Sequence, residues 1–325
     1  MNRDIYIKTV LVVPSHREKH FQQFLEAWRQ QFAYSTIILV EDSPTKTFAY
    51  DYQGNLEHYA WDDIDRVLGE DAWIIGRHSA GIRCFGFLMA MRHQPWMIVT
   101  LDDDCFPEDA NCLNSHWEAL SRRVTLGWVP CTPMQPVTRG FPYEVRDCSE
   151  VVVNHGLWSG VPDLDAPTTL LNGNVRWPRC TVSLTVPKGS YFPMSGMNVS
   201  FKPQVTPLMY FPLQGLEEEH DGYEDVWCGV ILKKICDSTG YAVMSGTPSV
   251  EHRRASNVYE RLQRQAKSLG TNELFWRAVD SVQLTGKTVG DCYLEMADKL
   301  PLEGGYWDKL KNAMRTWHKL TAGGQ

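Results

Sequence analysis

Apolar positions along the first hundred residues alternate between two periods. Val10 to Val13 is a short, wholly apolar run closed by Pro14, the pattern of a strand buried on both faces of a parallel sheet. Phe21, Leu25, Trp28 and Phe32 then recur at helical spacing. Thr36 to Val40 reads as a second buried strand and Ala72 to Ile75 as a third. Ser79 to Met91 carries a helical apolar face through Ile82, Phe85 and Met89, and Met97 to Leu101 is a strand running into three aspartates. This β-α-β alternation predicts a doubly wound, mostly parallel sheet, whose ligands bind beyond the strand carboxyl ends.

From Gly127 to Pro212 proline and glycine become frequent, and the pattern reads as short strands and long loops. Glu224 to Ser238 returns to helix and Tyr241 to Ser245 to strand. Beyond Ser256 the pattern is helical, with Tyr293, Met296 and Leu300, then Leu310, Met314 and Trp317, as stripes. The expected division is an α/β domain over 1–255 and a helical extension over 256–325.

Charge and cysteine usage narrow the classes. The chain of 325 residues has a formal net charge of −7 and no long basic run, so nucleic acid is not an expected partner. The densest basic stretch, Arg253, Arg254, Arg261, Arg264 and Lys267, reads as a local anion site or a solvated helix face. No apolar run approaches the ~18 to 20 residues of a membrane span, and the amino-terminal segment lacks a signal-peptide layout. The nine cysteines are scattered without a CxxC pair, which fits neither a disulfide framework nor a zinc knuckle and points to the cytoplasm.

The strongest chemical signal is Asp102-Asp103-Asp104 at the end of a buried strand. Carboxylates are hard ligands for Mn²⁺ or Mg²⁺, which bind through one or two of them together with substrate phosphates. Two earlier strand ends, Pro14-Ser15 and Glu41-Asp42-Ser43, are placed to reach a base and ribose. Tyr223-Glu224-Asp225 opens a helix, so Asp225 or Glu224 serves either the helix dipole or a sugar hydroxyl as acceptor or base. His252, past the next strand, is either structural or a further metal ligand, with Arg253 and Arg254 as cations for phosphate. Neither GxGxxG nor a Walker loop is present, so no dinucleotide or ATP cradle is implied.

The order of several blocks resembles the reversibly glycosylated polypeptides, which include the UDP-arabinopyranose mutases. The carriers are Arg83-Cys84-Phe85-Gly86, the aspartate triplet with Cys105-Phe106, Arg139-Gly140-Phe141-Pro142 and His155-Gly156-Leu157-Trp158. They continue in Pro162 to Thr168, Pro187-Lys188-Gly189, Pro193 to Asn198, Glu224-Asp225-Val226-Trp227 and Ala255-Ser256-Asn257. The resemblance implies a GT-A-type fold, a UDP-sugar substrate (UDP-arabinose), a Mn²⁺ or Mg²⁺ ion, and reversible self-glycosylation on an arginine. It also implies a site. Asp104 and His252, with Asp102, would hold the metal. Pro14, Asp42, Arg83, Asp102, Asp103, Lys188 and Asn198 would bind the nucleotide-sugar. Arg139, with Arg146 as a second arginine, would carry the sugar at its anomeric carbon, beside Asp225 and Asp165. Transfer to an external acceptor and catalytically silent binding of a UDP-sugar are the competing activities, and a homo-oligomer is compatible with each.

Overall fold

The computed structural model describes residues 3–129, 138–173, 175–213, 220–253 and 257–322. The strands are β1 (Thr9–Ser15), β2 (Thr36–Glu41), β3 (Asn55–Tyr59), β4 (Met97–Leu101), β5 (Cys105–Pro107), β6 (Arg123–Val124), β7 (Ser149–Gly160), β8 (Leu184–Thr185), β9 (Asn198–Phe201) and β10 (Ala242–His252). The helices are α1 (Arg3–Ile7), α2 (Glu18–Trp28), α3 (Trp61–Leu68), α4 (Arg83–Met91), α5 (Cys112–Leu120), α6 (Ala166–Asn172), α7 (Glu224–Thr239), α8 (Val258–Ser281), α9 (Val289–Lys299) and α10 (Gly305–Ala322).

One curled sheet runs in the order β3-β2-β1-β4-β9-β7-β10-β5. The parallel strands β3, β2, β1 and β4 meet the parallel pair β7 and β10 through β9, which is antiparallel to both β4 and β7. The carboxyl ends of β1, β2, β4, β7 and β10 therefore share one edge. This is a GT-A-type α/β architecture, with helices on both faces and at the carboxyl terminus.

The alternation of side chains along a strand explains the apolar runs. Val10, Val12, Ile38 and Val40 face one core cluster, while Leu11, Val13, Ile37 and Leu39 face the other. The first cluster holds α4, α7, α9 and α10, and Phe275 of α8, Tyr293, Met296 and Trp317 belong to it. The second holds Phe21, Phe24 and Trp28 of α2 and Leu113 of α5. Gly86 lets α4 lie close on the sheet, since a Cβ there would stand 2.4 Å from Val12 Cγ1.

Two expectations change, the place of the third strand and the short strands of the middle. Ala72 to Ile75 is not a strand: the run lies in a 3₁₀ segment, Gly69–Ile74, and ends at Ile75, with Ala72 and Ile74 turned into the core. The third strand is Asn55–Tyr59, whose half-exposed residues form the sheet margin and so leave no apolar run. The sheet is mostly parallel, as expected, with β9 and β5 inserted antiparallel. The middle of the chain also supplies the 12-residue strand β7.

Candidate active site

The shared carboxyl edge opens into a cleft of about 1050 Å³ that narrows into a chamber of about 240 Å³. Pro14, Asp42, Arg83, the aspartate triplet and Asp225 line the cleft. Asp102, Asp104 and Asp225 reappear in the chamber, joined by Asp163, Ser195, His252 and Arg261. Several residues predicted from separate strand ends therefore meet in one place.

Within the triplet the three carboxylates have different partners. Asp102 Oδ1 accepts from Arg83 Nη2 at 2.6 Å and its side chain keeps 32 % exposure. Arg83 is itself buried and donates also to Thr100 Oγ1 at 3.0 Å and to the Gly196 carbonyl at 2.5 Å. Asp103, at 2 % exposure, accepts from Ser15 Oγ at 2.5 Å and has its other oxygen against Arg17 Nη2. Burial pushes the Asp103 carboxyl up, against the pull of Arg17 and Ser15. The Arg17 guanidinium is lowered by its own burial but raised in balance by Asp103 and Asp104. Asp103 thus works as the counter-ion that fixes Arg17 in the cleft wall, with both oxygens already engaged.

Asp104 faces His252, with Oδ1 3.8 Å from Nε2. The His252 Nδ1 donates to the Val161 carbonyl at 2.7 Å, and because a carbonyl only accepts, that bond sets the tautomer. In the neutral ring the Nε2 lone pair then points at the Asp104 carboxylate, which is the arrangement of an oriented metal-binding histidine. Two bonds of about 2.1 Å each reach across about 4.2 Å, so one ion can join the two atoms. Among the described residues no three His, Cys, Asp or Glu side chains are grouped to hold a metal, and Asp102, expected as a third ligand, is paired with Arg83 instead. A pair of protein ligands plus phosphate oxygens suits Mn²⁺ or Mg²⁺ at an open site. Charge supports the fit, since the described lining of the two cavities carries nine carboxylates and four arginines. A diphosphate entering that surround needs a cation.

Deeper in the chamber, Asp225 Oδ2 accepts from the Gly196 amide at 2.9 Å and Asp163 Oδ2 from Ser195 Oγ at 2.7 Å. Burial, then the charges of Asp163 and Glu224, push the Asp225 carboxyl up to about 7. Glu224 is buried too; its Oε1 accepts from the Ala80 amide at 3.1 Å while Oε2 has no hydrogen-bond partner. Burial raises it as well. Asp42 Oδ1 accepts from Trp61 Nε1 at 2.8 Å and from the His78 amide at 3.1 Å.

Other expected site residues lie elsewhere. Asn198 is fully buried and spends its amide nitrogen on the Leu157 carbonyl at 3.1 Å and the Pro248 carbonyl at 3.0 Å, while Oδ1 meets His116 Nε2 at 3.0 Å. It ties β7 to the irregular part of β10 between Gly246 and Val250 and has no group left for a nucleotide. Gly156 leaves room for it, because a Cβ there would stand 2.2 Å from Asn198 Nδ2. Lys188 is exposed in a turn whose neighbours, Pro187 and Gly189, contact Lys233 and Asp237. Those lie about 12 and 18 Å along the α7 axis from Asp225. Asp165 caps α6, accepting from the Thr168 amide at 2.7 Å and its hydroxyl at 2.9 Å, and lines neither cavity.

Arg139 and Arg146 line neither cavity. They precede β7, whose last residue, Gly160, pairs with His252 at the site edge. Arg146 Nη2 donates to the Phe141 carbonyl at 2.9 Å, and Phe141 packs on Trp128 with ring centroids 5.8 Å apart. Arg123 holds the Asp147 and Cys148 carbonyls, so this segment sits at the start of β7, about 36 Å of strand from the chamber. Arg139 is exposed there. Arg254 lies outside the described residues.

Sequence reasoning did not single out Arg17, Ser195 or the cleft-lining His16 and His20. Arg17 could have been found from its position two residues beyond a strand ending in Ser15. Arg261 and Arg264, read as a local anion site or helix face, do line the chamber.

A family profile described as "Reversibly glycosylated polypeptide" matches residues 6–322. "UDP-arabinopyranose mutase 1" of Arabidopsis thaliana is 34 % identical over 94 % of this chain and 90 % of its own length. "Probable UDP-arabinopyranose mutase 1" of Pisum sativum is 35 % identical, covering 94 % and 88 %. "UDP-arabinopyranose mutase 1" of Oryza sativa subsp. japonica is 34 % identical over the same shares.

Proposed function

The chain belongs to the reversibly glycosylated polypeptide family, and from that premise we propose that it interconverts UDP-arabinopyranose and UDP-arabinofuranose. The observation that carries the reading is the chamber of about 240 Å³ opening off the larger cleft. It offers a room for a pentose beside a groove for a nucleotide, with Asp104 lining both and His252 on the chamber side.

Asp42 and Pro14 line the part of the cleft assigned to uridine, and Arg83 orients Asp102 toward ribose or sugar hydroxyls. Asp104 and His252 would hold Mn²⁺ or Mg²⁺, which supplies charge neutralisation of the diphosphate and so helps UDP leave. Asp225, at the sugar, accepts or returns a proton. Reversible self-glycosylation of Arg139 stays in the proposal as modification of an exposed turn, outside the chamber chemistry. The compartment proposed is the cytoplasm, on the scattered cysteines.

Incubating the purified protein with UDP-arabinopyranose and Mn²⁺, then resolving the nucleotide-sugars, tests the reading. Formation of UDP-arabinofuranose supports it. Release of UDP without the furanose form would identify a transferase, and an unchanged substrate a binding protein. Mapping peptides after incubation with labelled UDP-sugar tests the arginine separately.

A further inference from the structure

We infer that Arg17 grips the diphosphate of the nucleotide-sugar, and that Asp103 is the positioning residue which holds Arg17 ready for it. This role rests on the nucleotide-sugar part of the proposed function and deepens it. Arg17 lies two residues beyond β1 and is fixed at both ends. Its amide donates to Ser15 Oγ at 3.0 Å, and that hydroxyl donates to Asp103 Oδ2 at 2.5 Å. Its guanidinium returns to the same carboxylate, with Nε 3.3 Å from Oδ2 and Nη2 against Oδ1. A planar fork held along one edge has its other edge set in direction. On that edge Nη2 also approaches Asp104 Oδ2 at 3.3 Å, and among the described residues nothing accepts from Nη1. The side chain keeps 26 % exposure and lines the larger cleft.

Asp104 connects this cation to the chamber. Its Oδ2 faces Arg17 and its Oδ1 faces His252. A diphosphate drawn to Asp104 and His252 by an ion therefore meets Arg17 from the cleft side, where Nη1 can donate to a phosphate oxygen. A lysine could neutralise Asp103, but its single ammonium cannot hold that carboxylate at two points and present a second nitrogen to phosphate.

The other arginines of the two cavities are less suited. Arg83 is buried and spends Nε on the Ala80 carbonyl at 3.0 Å and its two Nη groups on Thr100, Gly196 and Asp102. Arg261 lines only the chamber and donates to the Leu164 carbonyl at 2.8 Å. Arg264 lines both cavities, but its side chain is 59 % exposed and stands 3.9 Å from Asp221 Oδ2, a solvated cation rather than a seated one.

Calorimetry of UDP and of uridine binding to the full chain in saturating Mn²⁺ tests the clamp without turnover. Arg17→Lys should lower UDP affinity at least about tenfold, the scale of one charge-assisted hydrogen bond, and leave uridine affinity unchanged. Asp103→Asn unties the fork but keeps its charge, so UDP affinity should fall and uridine again be spared. Arg17→Gln combined with Asp103→Asn removes one charge of each sign and leaves no buried carboxylate alone. This pair should keep the wild-type thermal melt and the wild-type affinity for Mn²⁺ without nucleotide, yet bind UDP no better than Arg17→Lys does. Wild-type UDP affinity in Arg17→Lys and in the pair overturns the clamp, and so does an equal loss of uridine and UDP. Loss of UDP affinity in Arg264→Gln but not in Arg17→Lys would give the diphosphate to α8 instead. Wild-type UDP affinity in Asp103→Asn, or a pair that no longer binds Mn²⁺, overturns the positioning role. If the variants behave as expected but the wild type makes no UDP-arabinofuranose, the clamp stands and the mutase reading alone falls.

Discussion

Two clusters of buried polar side chains flank the middle of the sheet, and they are built on opposite principles. Around His116, Asn198 Oδ1, Asn154 Nδ2 and Ser200 Oγ all lie within 3.0 Å of a ring nitrogen. Burial pushes this histidine down to about 4, so the ring stays neutral and the network carries no charge. Around Asp225, the chamber's Asp163 and the cleft's Glu224 add like charges, and Glu224 keeps a buried oxygen without a partner. The first cluster joins neutral donors to neutral acceptors, with Asn154 Oδ1 left over, and thereby fixes the strands. The second leaves capacity unspent, which is the condition for acting on a ligand.

Breaking the first cluster should have the largest effect on stability. Asn198→Ala removes the bridge to the Leu157 and Pro248 carbonyls and leaves His116 Nε2 without its partner. Each unsatisfied buried group costs about 1–3 kcal/mol, so a loss of about 3–5 kcal/mol is expected in urea unfolding. UDP affinity below the transition should be retained. A fully stable variant that has lost UDP binding would return Asn198 to the nucleotide site.

The second cluster should respond with the opposite sign. Asp225 has its folded value raised to about 7, above an unfolded value of about 4. Below the lower value both states are protonated and no penalty exists. Between the two the unfolded chain ionises first, so this residue lowers stability as pH rises, and above about 7 the penalty is constant. Asp225→Asn should therefore match the wild type at pH 4 and exceed it at pH 8 by about 1–3 kcal/mol, measured in chelator. A variant less stable than wild type at pH 8 would show that the carboxylate serves the fold.

Much of this division was legible in the chain, and its gaps have physical causes. Asp102, Asp104 and Asp42 were legible because a buried parallel strand must end at the binding edge, so the next polar residues face the ligand. Asn198 and Lys188 were assigned from resemblance, and a motif does not tell a residue that touches ligand from one that shapes the backbone behind it. The run Ala72 to Ile75 misled because a short apolar stretch has no period, and burial alone served it equally well in a 3₁₀ turn. Arg139 was placed at the sugar without knowledge that β7 would be 12 residues long and carry the chain to the site only at Gly160.

The smallest expected effect separates two aspartates that the sequence places two residues apart. Asp163 faces the chamber and Asp165 caps α6. Both sit in a Pro-Asp-Leu-Asp-Ala-Pro stretch where either could have been the acid. A capping carboxylate accepts amide hydrogen bonds that Asn and Ser also accept, whereas a charged carboxylate facing a bound sugar has no such substitute. Asp165→Ala should lower stability by about 1 kcal/mol with the interconversion rate unchanged, and Asp165→Ser should be nearly silent. Asp163→Asn keeps the oxygen that accepts from Ser195 yet removes a negative charge from the chamber, so stability should stay near wild type while turnover falls. Thermal melts and rates on the same three proteins decide the matter. If Asp165→Ser slows turnover while Asp163→Asn does not, the cap and the acid have been assigned the wrong way round, and the chamber must be redrawn around α6.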